Sequence, residues 1–216
     1  MRLDYARQNM VAQQLRVGNV ADQRVLEVMS EVPRELFVPE RYRELAFADT
    51  SIPLPHGQFM LRPALEGLLL QALNLEPSDS VLEIGTGSGF LTACLARLAD
   101  QVLTVEIFED LVEAARSRLS AQEVRNLKFQ TGDLFEMQFT EQYDAIAVTG
   151  SLPDYDDRMG EWLKPGGKLF VVVGEAPSMR AQRITRVDQS NWTTEILFET
   201  VLLPLIQCQR VEPFRF

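Results

Sequence analysis

A glycine-rich turn follows an apolar segment near the middle of the 216-residue chain. The segment Val81-Leu-Glu-Ile-Gly-Thr-Gly-Ser-Gly89 has glycines at positions 85, 87 and 89. Because glycine has no Cβ, these positions let the backbone turn tightly and let a ligand approach it closely. A helix that begins directly after the turn presents N–H groups without partners in the helix. The spacing is GxGxG rather than the GxGxxG of dinucleotide-binding proteins, so a pyrophosphate ligand is not indicated.

Three acidic residues lie on predicted strands or just beyond their ends: Glu83, Glu106 and Asp133. The carboxyl ends of parallel strands form the ligand-binding edge of an open sheet. Glu106 is placed there to accept hydrogen bonds from ribose hydroxyls, and Asp133 to accept one from an adenine amino group. Glu83 would repel a pyrophosphate but suit a cationic ligand. Each acid alone is as often a simple turn residue, but the three in this order predict a site for S-adenosylmethionine, a nucleoside with a positive sulfonium.

The composition excludes several other kinds of site. With one histidine and two distant cysteines, Cys94 and Cys208, the chain cannot build a histidine-rich zinc site or a cysteine cage, and no metal site is expected. The cysteine count predicts a reducing compartment rather than a disulfide framework. A net charge of −10 disfavours binding to nucleic acid. Apolar runs fall short of the roughly 20 residues that span a bilayer, so we expect a soluble cytoplasmic protein without membrane contact.

The elements that must position these residues alternate from Ser80 onward between apolar strands and helices. This order predicts a parallel sheet covered on both faces, with right-handed crossovers. The first 50 residues are expected to be helical, with Asp22 as an N-cap, and residues 49–63 to form a loop or a short extended segment. Strands are predicted at 81–84, 102–106, 126–131, 144–149, 168–173, 183–188 and 192–205, and further helices at 64–73, 90–98, about 109–119 and 154–163.

The predicted class is α/β: a Rossmann-like, doubly wound, mostly parallel sheet with an N-terminal helical extension and an antiparallel C-terminal strand pair. We expect one domain over residues 1–216. It would consist of the helical and loop extension 1–79, a cofactor-binding core 80–175 and the C-terminal strands 176–216.

Several segments resemble a known family. The glycine-rich turn with its acids, together with Leu163-Lys-Pro-Gly-Gly167, resembles the class I S-adenosylmethionine-dependent methyltransferases. Nearly the whole chain resembles the protein-L-isoaspartate O-methyltransferase family. The segments that carry this resemblance are Met10-Val-Ala-Gln-Gln-Leu15, Val32-Pro-Arg-Glu-Leu-Phe-Val-Pro39, Gly57-Gln58, Val81 to Gly89 and Leu203-Pro-Leu205.

The resemblance implies transfer of a methyl group from S-adenosylmethionine to the α-carboxylate of an isoaspartyl residue, a protein repair reaction. Such a carboxylate has a pKa of roughly 3.5 and needs no general base, so catalysis rests on alignment and on the exclusion of water. The partner would be an isoaspartyl protein or peptide, and the enzyme a monomer or homodimer. The cofactor-binding residues implied are Gln58, Glu83, Gly85, Thr86, Gly87, Gly89, Glu106, Ile107, Gly132, Asp133, Leu134 and Thr149.

The loop after Gly57 departs from the family pattern. The family reads Gly-Gln-Thr-Ile-Ser-Gln-Pro, and its serine is held to orient the acceptor carboxylate, whereas this chain reads Gly57-Gln-Phe-Met-Leu-Arg-Pro63. The serine position is therefore Leu61, which has no donor. Arg62 could compensate by binding a carboxylate in bidentate fashion, and His56 lies in the same loop. The alternative is that Arg62 is a surface residue and His56 only fills the loop.

Two further departures lie outside this loop. Val201 stands at a family arginine, and Leu134 follows Asp133 where the family has glycine. Three hypotheses remain open: an isoaspartyl methyltransferase with a rearranged acceptor site, a divergent member that methylates another substrate, and a catalytically weak S-adenosylmethionine-binding protein.

Overall fold

The computed structural model of the protein describes residues 2–208, and a sheet of seven strands lies at its centre. Two very short strands precede that sheet along the chain and pair with each other. The strands are β1 (Ile52–Pro53), β2 (Phe59–Met60), β3 (Ser80–Ile84), β4 (Gln101–Glu106), β5 (Leu127–Thr131), β6 (Tyr143–Leu152), β7 (Leu163–Glu175), β8 (Ser178–Arg186) and β9 (Trp192–Glu199).

The large sheet has the order β5-β4-β3-β6-β7-β8-β9. The pairs among its first five members are parallel. The pairs β7–β8 and β8–β9 are antiparallel and form one edge. The fold class is therefore the one predicted: the chain builds the sheet outward from β3 to β5 and then returns to place β6 beside β3, so that the carboxyl ends of β3 and β6 lie side by side.

Both faces of the sheet are buried. The neighbouring residues Val81 and Leu82 of β3 point to opposite faces, and each belongs to a separate buried hydrophobic cluster. Residues of the N-terminal helices share the Val81 cluster, so the extension and the sheet bury apolar surface together. The helices are α1 (Arg2–Asn9), a π-helix (Met10–Leu15), α2 (Gln23–Glu31), α3 (Pro63–Leu73), α4 (Phe90–Leu98), α5 (Glu109–Ala121) and α6 (Arg158–Glu161).

Local sequence explains where two of these helices begin and end. Asp22 caps α2 as predicted, because its carboxylate accepts a hydrogen bond from the Arg24 N–H at 2.9 Å. Pro63 opens α3 at a position where the missing N–H costs nothing, and Asn74 ends it in the left-handed conformation. Across residues 2–208, each helix falls short of the length and apolar character that crossing a bilayer requires.

Several predicted elements differ in extent from the structure; the strands predicted at 168–173 and 183–188 are Leu163–Glu175 and Ser178–Arg186. The helix predicted over 154–163 is limited to Arg158–Glu161, because Leu163 already pairs with Tyr143 as a strand. The last strand ends at Glu199 rather than at residue 205. Beyond it the chain turns to Ser151, whose N–H donates to the Leu203 carbonyl at 2.8 Å. This turn brings residues 201–206 to the carboxyl end of β6.

Candidate active site

A cavity of about 650 Å³ lies at the carboxyl edge of the parallel strands. This volume is within the range of small-molecule and cofactor sites. The predicted glycine-rich turn, the loop after Gly57 and the C-terminal segment all contribute to its wall. The main contributing segments are residues 58–61, 84–88, 105–108, 132–135, 149–151 and 201–206.

The glycine-rich turn approaches the end of β6 very closely. Gly85 has a φ of +94°, and a Cβ built on it would lie 2.1 Å from the Thr149 hydroxyl oxygen. That oxygen lies 2.9 Å from the carbonyl oxygens of Ile84 and Gly85. Only glycine fits at position 85, because a side chain would be strained and would displace Thr149. The turn thus presents bare backbone to the cavity.

Glu106 organises the backbone around the cavity. One carboxylate oxygen accepts from the Gly87 N–H at 2.9 Å, and the other accepts from Ile107 and Phe108 at 3.0 and 3.2 Å. This buried carboxylate therefore joins the turn after β3 to the segment after β4. A carboxylate has about four lone-pair sites, so one remains for a hydroxyl donor in the cavity.

Asp133 lies at the end of the next strand, β5. Its Oδ1 accepts from the Phe135 N–H at 2.9 Å and caps the short 3₁₀ helix Leu134–Glu136. Within residues 2–208 no hydrogen-bond partner is assigned to its Oδ2. Because Asp133 lines the cavity, this oxygen is available to an N–H donor of a ligand.

The Glu83 side chain does not lie where the sequence predicts. Among the described residues it is absent from the cavity wall, so the prediction that three carboxylates share one mouth is wrong for this one. Its side chain is buried beneath the turn, where Oε2 accepts from the hydroxyls of Thr92 at 2.5 Å and Thr104 at 2.6 Å. Side chains alternate along a strand, and position 83 points toward α4 rather than toward the edge.

The environment of Glu83 favours its neutral form. Burial raises the pKa of Glu83 to about 8, although the two threonine hydroxyls oppose the shift. Its Oε1 is buried and lacks a hydrogen-bond partner in the described part of the chain. Because a neutral Glu83 carboxyl can itself donate a proton, the 2.5 Å hydrogen bond between the Thr86 and Thr104 hydroxyls can run in either direction. Thr86 lines the cavity, and its hydroxyl oxygen keeps at least one lone pair in either case.

Ten of the twelve predicted cofactor-binding residues line the cavity. Besides Glu83, the exception is Gly89, which directly precedes α4 and lies so close to α5 that a Cβ built on it would be 3.1 Å from that of Ala115. The residues that do line it are Gln58, Gly85, Thr86, Gly87, Glu106, Ile107, Gly132, Asp133, Leu134 and Thr149.

The three residues predicted at the acceptor side have different positions. Leu61 lines the cavity and is 8% exposed. Arg62 forms an ion pair with Asp49 at 3.0 Å, outside the described cavity wall. His56 is also outside that wall; its ring stacks on Phe108 at 4.0 Å, and its Nε2 lies 2.8 Å from Asp110. The structure therefore places only Leu61 of the three in the cavity.

Comparison with known proteins identifies the family. The family model described as "Protein-L-isoaspartate(D-aspartate) O-methyltransferase (PCMT)" matches residues 5–210. The chain belongs to this family. A protein-L-isoaspartate O-methyltransferase 1 of Rhodopseudomonas palustris is 37% identical over 202 residues, which is 93% of this chain and 82% of that protein. One of Koribacter versatilis is 36% identical over 99% of this chain and 95% of that protein.

A solved structure agrees in fold. A Plasmodium falciparum protein-L-isoaspartate O-methyltransferase, crystallised with S-adenosyl-L-homocysteine, superposes with a TM-score of 0.80. The superposition covers 92% of this chain and 97% of that one, at 21% identity. At this identity the likeness establishes the architecture, and the site has to be argued from the residues of this chain.

Sequence reasoning missed several residues of this family member's cavity. Residues 201–206 line it, but their apolar pattern alone equally suits a dimer interface or the core. Phe108 lines it beside Ile107, and no spacing rule distinguishes the two. Glu66 also lines it, and here a signal existed: it is the one acidic residue in the apolar helix Pro63–Leu73. A lone acid on a buried helix indicates a specific partner.

Proposed function

We propose that the protein transfers a methyl group from S-adenosylmethionine to the α-carboxylate of isoaspartyl residues in proteins or peptides. The observation that carries this proposal is the cavity in which Glu106 and Asp133 lie at the ends of neighbouring strands, in a chain of this family. The names of the relatives and the bound nucleoside of the solved structure support the same reaction and the same cofactor.

The residues of the cavity fit the cofactor. The remaining acceptor site of Glu106 suits a ribose hydroxyl, and Asp133 Oδ2 suits an adenine amino group. The Thr86 hydroxyl oxygen suits an N–H group of an ammonium, because it keeps at least one lone pair beside its bond to Thr104. When bound, S-adenosylmethionine supplies an electrophilic methyl group on a positively charged sulfur.

The chain contributes alignment and exclusion of water rather than proton transfer. The acceptor carboxylate is already ionised at neutral pH, so no general base is needed. Leu61, Met179 and residues 201–206 surround the acceptor side with apolar groups. An apolar wall removes water from the attacking oxygen and limits the directions from which it can reach the methyl group.

A different acceptor is the second candidate, and a specific observation favours it. In the described cavity wall no lysine, arginine or histidine faces the acceptor; Glu175 adds negative charge, and the charge of Glu66 is paired with Arg34. With Leu61 at the family serine position, a carboxylate acceptor would depend on backbone N–H groups and on exclusion of water. A neutral, apolar acceptor would be compatible with the same wall, and a protein that binds the cofactor with weak turnover is the third candidate.

Methylation of a matched pair of peptides tests the proposal. A peptide with one isoaspartyl residue and its aspartyl counterpart are incubated with the enzyme and labelled S-adenosylmethionine. We expect label only in the isoaspartyl peptide, as a base-labile methyl ester. Label in neither peptide contradicts the proposal. Labelling of another component of a cell extract would then favour the second candidate, and no labelling there would favour the third.

The setting of the reaction is part of the proposal. We infer that the protein acts in protein repair in the cytoplasm, as a monomer or homodimer, without nucleic acid. The acidic composition and the low cysteine count support this inference.

A further inference from the structure

Arg34 is completely buried, and each part of its guanidinium group has a partner. Nε donates to the Ala46 carbonyl at 2.9 Å, and Nη2 donates to the Leu61 carbonyl at 2.6 Å. Nη1 forms an ion pair with the Glu66 carboxylate. A buried arginine with this many fixed contacts joins three separate segments of the chain at one point.

Two of these contacts lead directly to the acceptor side of the cavity. Leu61 and Glu66 both line it, Leu61 from the loop after β2 and Glu66 from α3. Burial raises the pKa of the Glu66 carboxyl, and the adjacent Arg34 opposes the shift. The pair therefore fixes the backbone at Leu61 and the first turns of α3 from behind the cavity wall.

A third contact leads to the cofactor side. The Arg34 guanidinium lies over the Phe90 ring, 4.5 Å from its centroid. Phe90 is the first residue of α4 and follows the last glycine of the turn directly. One side chain thus touches both the segment that lines the acceptor space and the helix that carries the glycine-rich turn.

We propose that Arg34, through its ion pair with Glu66, is a positioning residue: it holds the acceptor loop at Leu61 in a fixed position relative to the glycine-rich turn. The proposal rests on the proposed function, because in-line methyl transfer needs the acceptor oxygen and the methyl group held at near-attack distance. Arg34 reaches neither substrate, so its effect on catalysis is indirect.

Lysine cannot replace arginine here, because it has one ammonium group in place of a planar fork of five donors. The test variant is therefore Arg34→Lys. We expect kcat with an isoaspartyl peptide to fall by about tenfold to a hundredfold, since small misplacements have effects of that size. The Kd for S-adenosyl-L-homocysteine should stay within about twofold, because the contacts of Glu106 and Asp133 are untouched.

Arg186→Lys is the matched control. Arg186 is also buried, donates to the carbonyls of Glu161, Leu163 and Gln189, and lies over the ring of Trp192 at 5.3 Å. It is the last residue of β8, whose opposite end contributes Met179 to the cavity wall. We expect this variant to lose stability but to keep the wild-type kcat.

Hydrogen exchange separates this proposal from the proposed function. Amides of residues 59–62 should exchange faster in Arg34→Lys than in the wild type, and should be unchanged in Arg186→Lys.

Glu66→Gln provides the second variant, because it keeps a hydrogen-bond acceptor and removes the charge. Its amides at 59–62 should show the same change in exchange to a smaller extent. Unchanged exchange at 59–62 in both Arg34→Lys and Glu66→Gln, or an equal loss of kcat in Arg186→Lys, overturns the positioning role. Absence of isoaspartyl methylation by the wild type affects only the proposed function.

Discussion

Leu61 is the residue at which this chain differs most consequentially from its family. It lines the cavity at the family serine position, and its side chain offers no hydrogen-bond donor. Replacing it by serine should restore a donor to the acceptor carboxylate. A hydrogen bond to a charged group contributes about 1.5–3 kcal/mol, so we expect kcat/KM for an isoaspartyl peptide to rise by about tenfold or more. Steady-state kinetics at saturating S-adenosylmethionine measures this.

Leu61→Ala is the control for the loss of bulk. It removes a similar amount of apolar surface without adding a hydroxyl, so it should not gain activity. If Leu61→Ser and Leu61→Ala behave alike, the hydroxyl is not what the site lacks. A rise of the same size in both variants would indicate that Leu61 blocks the acceptor by its bulk.

Single residues show how far a sequence pattern can predict a site. Glu106 and Asp133 both follow strands at the sheet edge, and both lie in the cavity as predicted. Glu83 has the same residue type and a similar position, yet it is buried against Thr92 and Thr104. The difference is one of side-chain direction along β3, which depends on which face α4 covers. Arg62 likewise pairs with Asp49, a contact that spacing in sequence does not reveal.

The strand β3 carries a buried acid whose titration should affect stability. The Glu83 carboxyl has an ordinary pKa of 4.5 and titrates near 8 in the folded protein because it is buried. Between these values the folded state keeps a proton that the unfolded state has lost. The stability that neutral Glu83 contributes is therefore complete below pH 4.5 and is lost as the pH rises to about 8.

Glu83→Gln should remove this dependence. The free energy of unfolding of the variant, relative to the wild type, should increase by at most about 1.4 kcal/mol for each pH unit across the window. Urea unfolding at about pH 5 and about pH 8 measures the difference in slope. Glu113→Gln, at an exposed position of α5, is the control and should leave the slope unchanged. A Glu83→Gln curve parallel to the wild type would mean that Glu83 is ionised throughout.

Helices and strands could be predicted from the sequence where the local residue pattern and the tertiary packing favour the same structure. The strand 80–84 and helix 90–98 follow from an apolar run, three glycines and a helical apolar face. The segment 154–163 has helical spacing, but pairing of Leu163 with Tyr143 takes its end into β7. The segment after Glu199 continues to look extended, yet it leaves β8 to meet Ser151. These two outcomes depend on pairing partners distant in sequence, which local propensity does not encode.

The overall charge of the molecule should influence which peptides it methylates. The net charge is −10, and residues 100–157, which contribute much of the cavity, hold 13 acidic and 4 basic residues. A field of this sign attracts cationic peptides and repels anionic ones. We expect an isoaspartyl peptide with distant lysines to have a higher kcat/KM than one with glutamates at the same positions, by several-fold at low salt.

Salt distinguishes this field from direct contacts. The Debye length falls from about 30 Å at 0.01 M to about 3 Å at 1 M ionic strength, so the preference should nearly disappear at high salt. A preference that persists at high salt would indicate ion pairs at the rim of the cavity. A preference for the anionic peptide would contradict the electrostatic account.

The most direct measurement is calorimetric titration of the protein with S-adenosyl-L-homocysteine. We expect binding at one site per chain, weakened at least about tenfold in Glu106→Gln, because the amide cannot accept from both sets of backbone N–H groups. Glu109→Gln changes the charge equally at an exposed position outside the described cavity wall and should bind as the wild type does. No detectable binding by folded wild-type protein, or equal affinity of Glu106→Gln and the wild type, would contradict a cofactor site between Glu106 and Asp133.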